Sequence, residues 1–134
     1  MSGICGIFRF DRGTVEARDL DRQITRLAHL GPDRSRTWCA GPVGFGHLMM
    51  LISREDQFDV QPIHDAGLTL VADLRLDNRE ELAQALAISV SALSDMPDSA
   101  LLLAAYKKWG ADCVEHLIGS EGTYPARESP SILK

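Results

Sequence analysis

The apolar run at residues 43–52, Val-Gly-Phe-Gly-His-Leu-Met-Met-Leu-Ile, constrains this chain more than any other segment. It reads as a strand with Gly44 and Gly46 inside it. Glycine has no side chain to pack, so its place in a strand points to a close approach by another chain segment or a ligand. Residues 4–10 supply a first strand, turned by Asp11-Arg-Gly13. Residues 17–30 read as a helix whose stripe is Leu20, Ile24, Leu27 and Ala28, stopped by Gly31-Pro32-Asp33. Residues 37–40 form a short strand before the Gly41-Pro42 turn.

Residues 54–62 are a polar loop, and 68–74 the clearest strand. Asp77-Asn-Arg-Glu80 has the spacing of a capping box and opens a helix to about Leu86. Residues 89–96 are a polar link with one helical turn. Pro97-Asp98-Ser99 starts the next helix, with Leu102, Ala105, Tyr106 and Trp109 as its buried stripe and Gly110 past its end. Residues 112–118 give a short last helix. Residues 119–134 lack periodicity and read as an irregular tail. The order of elements is that of a mixed α/β or α+β chain.

Composition narrows the partners. The net charge of -5 argues against a nucleic-acid binder with a basic face. No apolar run approaches the ~20 residues of a membrane span, and the first residues do not read as a signal peptide. Cys5, Cys39 and Cys113 are an odd number at wide spacing. That suits reduced thiols and a cytoplasmic protein rather than a disulfide framework. Cys39 and Cys113 read as small core residues. His29, His47, His64 and His116 are scattered, so only the fold could assemble a metal site from them. Gly41-Pro-Val-Gly-Phe-Gly46 lies in a strand-like run and is not a phosphate loop.

Six segments occur in an order that resembles class II glutamine amidotransferase domains. They are Met1-Ser-Gly-Ile-Cys-Gly-Ile-Phe8, His29-Leu-Gly-Pro-Asp33, the stretch Gly41 to His47, Gln61-Pro62, the strand Leu70 to Asn78, and the helix that Asp98 opens. The resemblance covers about residues 1–119. Within the class, the chain is similar to the N-terminal domain of asparagine synthetases and their derivatives. It implies an α+β fold, part of an N-terminal-nucleophile αββα sandwich of antiparallel sheets flanked by helices. It also implies amide hydrolysis: an N-terminal Cys attacks the glutamine side chain, its own α-amine serves as base, and an Asn side chain with a Gly N–H steadies the oxyanion.

The residues that carry that chemistry differ here. The nucleophile position holds Ser2, a weaker nucleophile than a thiol, and the small Ser2 allows Met1 removal. The position of the Arg that pairs with glutamine's carboxylate falls on Met49, a thioether that leaves glutamine without this anchor. The oxyanion pair falls on Asp73 and Leu74. Asp73 opposes negative charge, and Leu74 fills the space a glycine leaves open. Asp98 matches the acid that holds glutamine's α-amine, and it is equally an ordinary acid in the first turn of a helix. Cys5 reads as packing, since it has an adjacent α-amine only if residues 2–4 are cut away. His29, His47 and Asp33 read as structural groups at turns and strand ends.

The resemblance therefore implies a domain that keeps the fold and has dropped glutamine hydrolysis, as in β-lactam synthetases and lasso-peptide cyclases. There the domain is a scaffold for an ATP-dependent amide-forming domain. The alternatives are a working glutaminase that uses Ser2 or a processed Cys5, and a non-enzymatic assembly module. The family domain is longer than this chain, so residues 1–118 are expected to be an incomplete domain with the synthetase absent. No cofactor is expected in this chain; ATP and Mg belong to the synthetase domain. The expected partners are that domain and a second copy, a homodimer that covers open sheet edges.

Overall fold

The computed structural model describes residues 2–127, with side chains through Gly119. The strands are β1 (Gly3–Phe8), β2 (Arg34–Ala40), β3 (Val43–Met49), β4 (Ile63–Asp65), β5 (Leu68–Leu76) and β6 (Gly119–Arg127). The helices are α1 (Ala17–Leu27), α2 (Arg79–Ala85), α3 (Val90–Leu93) and α4 (Asp98–Trp109), with 3-10 turns at Glu55–Phe58 and Gly110–His116. One sheet has the order β1-β3-β2 and the other β4-β5-β6. β1 and β2 both run antiparallel to β3, and β4 runs antiparallel to β5. The class is α+β, as the sequence implies, with the two-sheet content of an N-terminal-nucleophile sandwich.

The chain divides into two compact units. Among the described residues the first takes 2–51, Gln61–Asp73 and 123–127; the second takes Ile52–Val60 and Leu74–Gly122. In the first unit, β3 is the central strand of its sheet, and α1 lies on that sheet. The glycines of β3 explain how. A Cβ at Gly44 would stand 2.7 Å from Val15 Cγ1, and one at Gly46 would stand 2.6 Å from Cys5 Sγ and 2.9 Å from Ile24 Cδ1. The close approach read from the sequence is thus to α1 and to the residues that lead into it. Leu20 is wholly buried, and Cys5 and Val15 join it, with Ile7, Ile24, Leu27 and Cys39 packed around them. Burying a leucine like Leu20 contributes about 1.5–3 kcal/mol. α1 ends at Leu27, and beyond it only glycine fits at Gly31, where a Cβ would strike the Leu48 carbonyl.

In the second unit, Leu82 and Ala83 of α2, Leu93 of α3 and most of α4 form the core. The single stripe expected for α4 is too narrow. Leu101, Leu102 and Leu103 are all buried, and three consecutive helical residues span about 200° of the circumference, so α4 is packed on more than one side. Trp109 is only half-buried and stacks on His116 with ring centroids 4.0 Å apart. Gly110 follows the helix at φ 62°, as its position suggests.

Three other expectations change. The capping box does not form: Asp77, its expected cap, pairs with Arg75 at 3.4 Å, and the N-cap is Asn78, whose Oδ1 accepts from Ile118 N–H at 3.0 Å and whose Nδ2 donates to the His116 carbonyl at 2.9 Å. The segment at residues 112–118 is a 3-10 turn, begun earlier at Gly110. Gly119–Arg127 is a strand where an irregular tail is expected. Asp77 N–H donates to the Ile118 carbonyl at 2.7 Å and, with the Asn78 clamp, delivers the chain to the β5 edge. Backbone pairing along an existing strand overrides weak local propensity. The rest of the expected tail, residues 128–134, lies outside the described residues. Among the described residues no helix is long and apolar enough to cross a membrane.

Candidate functional site

The start of β1 builds the site. Gly3 pairs with Leu48 across β1 and β3, so the residue before it, Ser2, arrives beside the end of β3. The Ser2 hydroxyl accepts from Met50 N–H at 3.1 Å and donates toward Met49 Sδ at 3.7 Å. Its backbone N–H donates to Asp73 Oδ1 at 3.1 Å. Ser2, Met49 and Asp73, which the sequence assigns to one site, are therefore brought together, all within the first unit. Leu74 follows Asp73 in β5 and is half-buried.

Two supports hold these residues in place. Asp33 N–H donates to the Met49 carbonyl at 3.1 Å, and Asp33 Oδ2 accepts from Leu51 N–H at 2.8 Å. Asp33 thus acts as the turn acid that the sequence suggests. On the other side Gln61, 3% exposed, accepts from Ala72 N–H through its Oε1 at 2.6 Å and fixes β5 one residue before Asp73. The Gln61-Pro62 bond is cis. The Gln-Pro motif is legible in the sequence, but its role as a strap on β5 is not.

This arrangement has defined chemical consequences. Met49 is buried and presents sulfur, not a guanidinium, beside the Ser2 hydroxyl. A charged hydrogen bond to a ligand carboxylate contributes about 1.5–3 kcal/mol, which Met49 cannot provide. Asp73 presents a carboxylate acceptor to the Ser2 nitrogen.

Cys5 is buried in β1, and its sulfur fills the space beside Gly46. Burial pushes its thiol up, against a smaller opposing effect of a backbone hydrogen bond from Gly46. Thiolate is the nucleophilic form, so this packing works against reactivity. Cys39 is half-buried; burial, then Asp21 and Asp19, push its thiol up as well. His47 is buried in β3 and His29 is exposed after α1. Among the described residues no three His, Cys, Asp or Glu side chains gather to hold a metal.

Asp98 lies in the second unit, at the start of α4. Its Oδ1 pairs with Arg79 Nη1 and its Oδ2 accepts from Leu76 N–H at 2.8 Å. Arg79 also donates through Nη2 to the carbonyls of Met96 at 2.7 Å and Leu93 at 3.1 Å. Next to it, the Ser99 hydroxyl donates to Asp59 Oδ1 at 2.7 Å. This network ties Asp98, at the start of α4, to Arg79 and to the end of β5. Arg79 is the residue the sequence passed over. It sits inside the supposed capping box, and its spacing from Asp98 carries no local signal.

The family model described as "Glutamine amidotransferase domain" matches residues 1–121. The chain is 31% identical over 124 residues to asparagine synthetase [glutamine-hydrolyzing] 3 of Bacillus subtilis, a match that covers 89% of this chain and 20% of that protein. It is 29% identical over 105 residues to amidase chry2 of Gibberella zeae, covering 75% of this chain and 16% of that protein. The chain thus spans a fifth or less of the length of these curated relatives. The chain belongs to the glutamine amidotransferase domain family and is related to asparagine synthetase.

Proposed function

We propose that this domain has given up glutamine hydrolysis and serves as a scaffold for an ATP-dependent amide-forming domain. One observation carries the reading: the Ser2 hydroxyl sits between the Met49 thioether and the Met50 N–H, with the Asp73 carboxylate on the same residue's nitrogen. In an active site of this family the α-amine of the first residue takes the nucleophile's proton. A carboxylate on that nitrogen favours its protonated form, which is no base. The weakened nucleophile, the missing carboxylate anchor and the opposed oxyanion all act in the same direction. Leu74 still offers its backbone N–H.

The match to the Bacillus subtilis synthetase leaves four-fifths of that protein outside it, which is room for the partner domain. ATP and magnesium act in that partner; this chain supplies surface. Exposed apolar residues such as Phe10, 86% exposed beside Phe8 at the end of β1, are covered by the partner or by a second copy in a homodimer. The protein works in the cytoplasm, where Cys5, Cys39 and Cys113 stay reduced.

The test is incubation with glutamine and detection of glutamate and ammonia. No turnover above the Ser2→Ala variant is expected. Turnover that Ser2→Ala or Cys5→Ala abolishes overturns the reading in favour of a working glutaminase.

A further inference from the structure

The Ser2 nitrogen faces Asp73 Oδ1 at 3.1 Å. While Met1 is attached, this nitrogen is a neutral peptide N–H. Removal of Met1, which the small Ser2 side chain allows, makes it an α-ammonium group with a full charge and three donors. We propose that Asp73 is the seat of that ammonium group, and that Met1 removal fastens the start of β1 to β5 within the first unit. Two further contacts keep the nitrogen aimed there. The Ser2 hydroxyl accepts from Met50 N–H at 3.1 Å and donates to Met49 Sδ at 3.7 Å, so rotation away from Asp73 breaks both. Exchange of a neutral donor for an ammonium turns the contact into a charge-assisted bond, shorter and about twice as strong. Asp73 and Ser2 are both half-buried, so solvent screens the pair less than at an open surface. N-terminal acetylation removes the charge and returns the contact to its weaker form. The inference deepens the proposed function, in which a held ammonium is no base, and its readouts concern the N-terminus alone and need no glutamine turnover.

The test uses the full chain released from a cleavable fusion so that it begins at Ser2 or at Met1, plus a Ser2-first form acetylated on its nitrogen. Intact mass identifies each form. The Ser2-first form should melt about 3–6 °C above the other two, and Asp73→Asn should erase that gap. Equal melting of the Ser2-first and Met1-first forms overturns the proposal, as does a gap that persists in Asp73→Asn. A second measurement needs no variant. Acylation of the α-amine by an activated ester near pH 7 is compared with that of the free peptide Ser-Gly-Ile. A held ammonium reacts more slowly than the amine of the free peptide. Parity with the peptide overturns the proposal.

Discussion

Replacing Arg79 by Ala tests the core of the second unit. Arg79 joins three pieces of chain: its Nη1 pairs with Asp98 in α4, and its Nη2 donates to the Leu93 carbonyl at 3.1 Å and the Met96 carbonyl at 2.7 Å. The paired side chains are 23% and 19% exposed. Truncation leaves the Asp98 carboxylate with the Leu76 N–H and takes a donor from both carbonyls. Removing one partner of a fully buried pair costs about 3–5 kcal/mol. Partial exposure admits water to the orphaned groups, which brings the expected loss to roughly 2–4 kcal/mol. Asp98→Asn should lose less, about 1–2 kcal/mol, because the amide oxygen still accepts from Leu76 or Arg79. Urea unfolding followed by far-ultraviolet circular dichroism measures this, as a lower midpoint with unchanged slope. The double variant Arg79→Ala with Asp98→Ala should lose less than the sum of its single changes. An Arg79→Ala protein within about 0.5 kcal/mol of wild type refutes the reasoning. So does an Asp98→Asn loss as large as that of Arg79→Ala.

Two other perturbations have defined outcomes. Gly31→Ala drives a Cβ into the Leu48 carbonyl and within 2.7 Å of Met49 N, so β3 and the loop must separate. A thermal melt should show a loss of about 3 kcal/mol or more, the upper range for overpacking, and an unshifted melt contradicts the packing described. Burial holds the Cys5 thiol above its ordinary value. The stability linked to it is full below the unfolded value, about 8.5, and is lost as pH rises through the folded value. Melting curves from pH 7 to 10 should therefore fall more steeply for the wild type than for Cys5→Ala, and parallel curves count against it.

Much of the first unit can be read from the sequence, because its signals are local. Gly44 and Gly46 in an apolar run announce a close approach, and Leu20, Ile24 and Leu27 at helical spacing announce what approaches. The site was legible as a set of positions: Ser2, Met49 and Asp73 meet as the resemblance implies. What was not legible depends on partners far away in sequence. Asn78 looks like part of a cap, but residues 116 and 118 claim its amide. β4 is three residues long, and its turn is Ala66-Gly67 with φ of 50° and 75°, where Asn-Gly is the usual hairpin signal. β6 has little strand propensity and exists through pairing in the β4-β5-β6 sheet. Asp98 carries two readings in the sequence, and its pairing with Arg79 has no local signal there.

The central claim is that the site around Ser2 does not carry out acyl transfer on glutamine. Its most direct test is a glutamine analogue in which an electrophilic chloroketone replaces the side-chain amide. The Ser2-first chain is incubated with it and examined by peptide mass mapping. The account predicts that the peptide carrying Ser2 stays unmodified while an ordinary exposed thiol control reacts. A covalent adduct on Ser2 that excess glutamine suppresses would contradict it.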